Sequence, residues 1–195
     1  MGFDVSGLNP QRNKTTDEFP ILDKWNNVSW QVREESKEWK KEEDKYWKEW
    51  DELNNLNPGV YFRNNVWWWR PLWNYCYKVC EDILTEEDWE QGSWNDGHEY
   101  SEEACIEMAT RLQEEIDNGH CKAYEDSYKK WQAELPKEPC SRCNGNNRGN
   151  NKKKECNICD KTGEQEDWNA SYPFNVENVQ NFVNFLKECG GMSIC

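Results

Sequence analysis

Hydrophobic positions along this chain recur mostly at helical spacing. Ser101 stands as an N-cap ahead of Cys105, Met108, Ala109, Leu112 and Ile116, which share one helical face, and Asn118 and Gly119 supply the stop. A second stripe of Tyr124, Tyr128, Trp131 and Leu135 follows and closes at Pro136. Near the end of the chain, Phe174 and Asn175 read as staple and N-cap for a helix. Its inner face is Val179, Phe182, Val183, Leu186 and Cys189, and Gly190 and Gly191 stop it. Leu72, Cys76, Val79 and Ile83 line a further helix with Pro71 in its first turn, and Thr85 with Asp88 has the pattern of a capping box for a short one.

Residues 29–53 read as one long charged helix, because Trp39, Tyr46, Trp47 and Trp50 fall at offsets of 7, 8 and 11 on a single stripe. The opening 28 residues are polar, with turn residues at Gly7, Asn9 and Pro10, and are expected to be irregular. An aromatic run at 61–68 and the tail at 192–195 are the candidates for extended structure. The pattern predicts a mainly α fold, with a small sheet from those two segments as an α+β variant. It is organised as an irregular segment 1–28, a helical core 29–136, a cysteine module 137–167, and a C-terminal helix and tail 168–195 packing on the core.

Composition adds constraints. Aliphatic residues are sparse, and the 35% hydrophobic content leans on 13 Trp, 8 Tyr and 6 Phe. Each buried aromatic removes a large area from water, so a core is expected despite 32% charged residues and a mean hydropathy of −1.21. A net charge of −14 is repelled by phosphate backbones and anionic lipid, which argues against general nucleic-acid binding. No stretch approaches the roughly 20 apolar residues of a membrane span, and no apolar core of a secretory signal opens the chain. Gly2 and Ser6 fit a short myristoylation pattern without the basic cluster that stable anchoring needs. Ten cysteines without a secretory signal read as thiols and metal ligands, so a cytoplasmic location is expected.

The strongest chemical signal is CSRCNGNNRGNNKKKECNICDKTG, residues 140–163. Two Cys-x-x-Cys pairs, separated by 12 residues, are each followed closely by glycine, Gly145 and Gly163. Each pair aims two sulfurs at one point, and two pairs complete a tetrahedral tetrathiolate site. Cys140, Cys143, Cys156 and Cys159 are therefore expected to bind one structural Zn²⁺ ion. The polar insert between them cannot form a core, so the metal supplies the folding energy. This segment is also a basic island, with Arg142, Arg148, Lys152, Lys153, Lys154 and Lys161 against Glu155 and Asp160. Those cations either offset the dianionic metal centre or contact a phosphate. The spacing resembles the cysteine-rich repeats of DnaJ-type chaperones, in two degenerate copies. Asn147 stands where the first copy would carry its second glycine, and the chain has no His-Pro-Asp signature, so chaperone activity does not carry over.

The second candidate site is the tract NPGVYFRNNVWWWRPLWNY at 57–75. Three consecutive tryptophans cannot all enter one core on a regular element. Aromatic faces that stack a base, arginine forks for phosphate and Asn amides for a base or ribose edge suit a nucleotide-like ligand. Tyr61, Arg63, Asn65, Trp67, Trp69 and Arg70 are the residues expected to line its pocket. The competing reading is an aromatic core strand with arginines stacked on tryptophan. GVYFRNNVWWWRPLW, the loop GSWNDGH at 92–98 and the C-terminal GGMSIC resemble a family of uncharacterised bacteriophage and bacterial proteins. That resemblance implies a phage or mobile-element setting and the host cytoplasm, with the charged helix and the zinc insert as variable parts.

Catalytic motifs are thin. The chain shows no phosphate-binding glycine loop, nucleophile elbow or His-Glu-x-x-His. His98 and His120 each sit beside a turn glycine and read as exposed or loop-capping residues. Cys76 and Cys80, one helical turn apart, read as small core residues or as half of a second metal site. The expectation is thus a non-catalytic, phage-type zinc-containing protein that sequesters a nucleotide-like molecule. Two alternatives are an adaptor that inhibits a host protein and a metal-dependent hydrolase.

Overall fold

The computed structural model describes residues 2–145, 156 and 158–195. The chain is mainly helical, with a small sheet and the cysteine module set apart. The N-terminal segment is not irregular. Strand β1 (Gly2–Gly7) buries Phe3 and Val5 and turns Asp4 and Ser6 the other way. It pairs antiparallel with β2 (Tyr61–Asn65) on one side and β6 (Met192–Ile194) on the other, and β3 (His98–Tyr100) completes the order β2-β1-β6-β3. The segment expected to be loose is therefore one of the two central strands.

The aromatic tract splits. β2 ends at Asn65, whose side chain accepts from the backbone of Trp67 at 3.0 Å and Trp68 at 3.2 Å and so caps α4 (Val66–Val79). All three consecutive tryptophans are consequently helical, and Pro71 lies one turn further into the helix than expected. After α5 (Glu86–Gln91), which starts with the capping box of Thr85 and Asp88, come α6 (Glu102–Asp117), α7 (His120–Ala133) and α8 (Val176–Glu188). Ser101 caps α6 and Asn175 caps α8, as their sequence positions suggest. Helices α4 and α8 pack on one face of the sheet, and α6 packs on α8 and α4. There Phe62 meets Phe182 and Phe185, and Trp69 stacks between Phe3 and Trp73. At Gly59 the backbone presses on the end of α8: an added Cβ would lie 2.2 Å from the Glu188 carbonyl oxygen.

The long charged helix is broken. Ser36 Oγ accepts from the amides of Glu38 and Trp39, both at 3.2 Å, which separates α2 (Trp30–Glu35) from α3 (Trp39–Leu56). With α1 (Pro20–Asn26) they enclose a second, smaller core of Phe19, Leu22, Trp25, Trp39 and Tyr46. Two charged side chains fasten it. Glu49 Oε2 accepts from Ile21 and Leu22 at the start of α1, at 2.8 and 2.9 Å. Arg33, buried, donates to Val28 at 2.8 Å, to Asn26 at 3.2 Å and to Trp25 around the other end, with its guanidinium over Trp39 and Tyr46. Residues 2–7 and 174–194 contribute to the main core, and α3 packs with α1.

Candidate functional site

The cysteine module is an excursion closed at its base. β4 (Glu138–Pro139) pairs antiparallel with β5 (Glu164–Gln165), and Lys137 faces Glu166 at 3.0 Å. The Cys140 amide donates to the Gly163 carbonyl at 2.8 Å, which ties the first knuckle to the end of the second. In the first knuckle, the amides of Cys143 and Asn144 fold back onto the Cys140 carbonyl. Asn144 and Gly145 then turn with φ of 48° and 78°. The second repeats the shape, with Asp160 and Lys161 at φ of 45° and 69° and the Gly163 amide donating to Cys159 Sγ at 3.3 Å. Such left-handed residues are where glycine and asparagine are favoured, and they let amides reach the sulfurs.

The four sulfurs lie within 4.8 Å of one another and all four cysteines are buried. Cys140 Sγ and Cys156 Sγ are 3.8 Å apart, as are Cys143 Sγ and Cys159 Sγ. A disulfide needs about 2.05 Å, whereas a tetrahedron with metal–sulfur bonds of about 2.3 Å has edges of about 3.8 Å. The cluster can therefore hold a metal ion. Amides of Ile158 and Cys159 point at the Cys156 sulfur and hold its thiol down to about 7, which favours the ligating thiolate. Arg148 and Lys152, Lys153 and Lys154 lie outside the described residues.

No family model, curated protein or solved structure matches this chain.

The residues expected to form the ligand pocket do not converge. Tyr61 and Arg63 alternate onto the sheet face turned away from the main core, where the Tyr61 hydroxyl donates to Asp4 and Arg63 Nε lies 3.6 Å from the same carboxylate. The Asn65 amide oxygen is taken up by the α4 cap. Trp69 is wholly buried and its Nε1 donates to the Gly92 carbonyl at 2.8 Å. Tyr61 and Arg63 thus share Asp4, whereas Trp67 and Arg70 meet a different neighbour, since helical spacing puts them on one face. Trp67 lies 4.9 Å from the Tyr172 ring, and Arg70 Nη1 donates to the Tyr172 hydroxyl at 3.1 Å.

That neighbour belongs to a different cavity. Arg70 and Asn74 of α4, Tyr124, Tyr128 and Trp131 of α7, and Trp168 and Tyr172 at the 3₁₀ turn Trp168–Ser171 line a groove of about 370 Å³. Of the α7 stripe, Tyr124 and Tyr128 pack against the main core, whereas Trp131 is 45% exposed; Trp168 across the groove is 61% exposed. The aromatic residues flanking the module, Trp131 before it and Trp168 after it, were the available signal. What hid the groove was the length of chain between them.

The remaining candidates are structural. His98 Nε2 lies 3.1 Å from Asp88 of the capping box, and His120 Nδ1 lies 3.1 Å from Glu115. Cys76 and Cys80 are fully buried in the main core; hydrogen bonding to Cys80 and burial push the Cys76 thiol up. Among the described residues, the module cysteines are the only group of three or more His, Cys, Asp or Glu whose donor atoms converge on one point. No helix among them is long and apolar enough to cross a membrane.

Proposed function

We propose that this chain is a non-catalytic binding protein of the host cytoplasm, in a phage or mobile-element setting, that sequesters a nucleotide-like molecule and uses one zinc ion to hold its cysteine module. The observation that supports the structural-metal part of this reading is the cluster of four sulfurs. Four buried thiolates fill the four positions zinc prefers and leave none for a water or substrate, which is the arrangement of a structural rather than a catalytic site. Thiolate donors favour zinc over calcium or magnesium, which take oxygen. The resemblance of GVYFRNNVWWWRPLW and GGMSIC to phage and bacterial sequences supports the setting.

Intact mass of protein taken from a reducing lysate tests this in one measurement. The native spectrum should carry one zinc per chain plus a small anionic molecule, and the denatured spectrum should carry neither. A metal-free chain whose module thiols alkylate freely while folded would remove the zinc assignment.

An adaptor that docks on a host protein is the second reading. It is favoured by Trp30, Val32 and Trp47, which are 50%, 57% and 42% exposed on the N-terminal helices. Because Trp39 is buried in the smaller core, Trp30→Ala/Trp47→Ala is the informative pair for affinity capture. Full retention of every captured partner would argue against docking there. A hydrolase reading has no convergent carboxylate set among the described residues to support it.

A further inference from the structure

We propose that the groove between α4, α7 and the 3₁₀ turn beyond the cysteine module is the ligand site, and that it takes one planar heterocycle bearing an anionic group, of the nucleoside monophosphate class. This rests on the binding-protein reading above and gives it a location that the sequence did not.

The aromatic side of the groove is open surface. Tyr124 and Tyr128 stack at 5.9 Å, Trp131 continues from Tyr128 at 5.3 Å, and Trp168 supplies a further indole beside Trp67. Two of these indoles are largely exposed although each carries the largest apolar area of any side chain. A flat ring laid on them removes that area from water, and every base offers such a face.

The polar half is the direction of the hydrogen bonds. The Tyr172 hydroxyl oxygen accepts from Arg70 Nη1 at 3.1 Å and from Trp168 Nε1 at 3.2 Å, so its own proton remains to be donated. Asn74 Oδ1 accepts from Trp89 Nε1, which leaves the Asn74 amide N–H groups as donors. Arg70 forms no ion pair among the described residues, and its remaining N–H groups are donors too. Arg70, Asn74 and Tyr172 thus turn donors to the groove, against one amide oxygen from Asn169, and the complement of that donor surplus is an acceptor-rich anion.

Charge agrees. The chain has 38 acidic residues, yet among the described residues no carboxylate lines this groove. Burial pushes the Tyr128 hydroxyl up to about 12, so the tyrosines add no negative charge. An aromatic cage alone would suit a quaternary ammonium, but Arg70 places a fixed positive charge at the wall. The volume of about 370 Å³ is at the small end of ligand pockets, roughly 300–1,000 Å³, which favours a mononucleotide over a dinucleotide. Net charge disfavours a nucleic-acid strand as the source of the base.

The experiment is calorimetric titration of the full zinc-loaded chain with AMP, GMP, CMP and UMP, and with adenosine and choline. At least one nucleotide should bind more tightly than adenosine. Arg70→Ala should weaken that nucleotide at least tenfold while changing adenosine less than twofold, and Trp131→Ala should weaken both. Both side chains are exposed, and Trp131→Tyr, which keeps a stacking face, should restore most of the affinity. Arg63→Ala, on the far sheet face, should change nothing. Nucleotide binding that ignores Arg70→Ala and Trp131→Ala would overturn the groove and leave the sequestration reading standing. No binding of any nucleotide at millimolar concentration would overturn both, and tighter binding of choline would overturn the anion assignment.

Discussion

Trp67 at the start of α4 and Trp168 beyond the cysteine module pack together with ring centroids 4.7 Å apart. Gln132 of α7 reinforces the junction by donating to the carbonyls of Asn169 at 3.0 Å and Tyr172 at 2.8 Å. The chain leaving the module is thereby fastened to the helices that carry the other wall of the groove. Trp67→Ala should raise hydrogen exchange across residues 166–172, with a loss of about 1 kcal/mol expected for a partly exposed aromatic pair. Helices α6 and α8 should keep their protection. Unchanged exchange at 166–172 would mean that Gln132 and Arg70 hold the turn without Trp67.

Metal removal should act locally. The module cysteines form a cluster of their own and none belongs to the main core. Chelation, or Cys159→Ser, should abolish stoichiometric metal and protection within 137–167, because the insert has no apolar core to fall back on. The helical signal of the remainder should persist in far-ultraviolet circular dichroism. Loss of that signal together with the metal would show that the module supports the whole fold.

Arg33 is the central fastening of the smaller core. Truncation to Ala removes its hydrogen bonds to the carbonyls of Val28, Asn26 and Trp25 and its contact with the Trp39 and Tyr46 rings. A cost of about 2–3 kcal/mol is expected from bonds to a charged donor that leave acceptors unpaired. The loss should appear as exchange in α1 and the first half of α3, ahead of any change in α6. Global destabilisation without that regional order would contradict two separate cores.

Glu125 gives the pH dependence a sign. Lys129 above all, with the Val176 amide and Lys122, holds its carboxyl below the ordinary range despite the cost of burial. A depressed folded value means stability that is present above the unfolded pKa, about 4.3, and lost as pH falls through the folded one. Glu125→Gln should therefore cost about 1–3 kcal/mol at pH 7, where it weakens the contact to the start of α8. The difference from wild type should shrink by pH 3. Denaturant titrations at the two pH values measure it, and an equal gap at both would assign the effect to shape rather than charge.

Several elements were legible because their information is local. The caps Ser101 and Asn175, the capping box of Thr85 and Asp88, and the stripes of α6 and α8 each depend on residues within one or two turns. The four cysteines were legible for the same reason, since Cys-x-x-Cys is a turn before it is a metal site. The break between α2 and α3 was also local, but a lone Ser36 within a charged helical pattern is a weak stop.

By itself, the sequence determined where most helices run and which four sulfurs meet. Only the tertiary structure decided that the weakly patterned first residues become a central strand, because strand pairing draws on partners at 61–65 and 192–194 rather than on neighbours. It also decided that Trp69 is core while Arg70 faces a groove. A helix turns successive side chains about 100° apart, so the fate of each one is set by what packs beside it: Phe3, Trp73 and Phe182 enclose Trp69, whereas Arg70 meets Tyr172 on the chain returning from beyond the cysteine module.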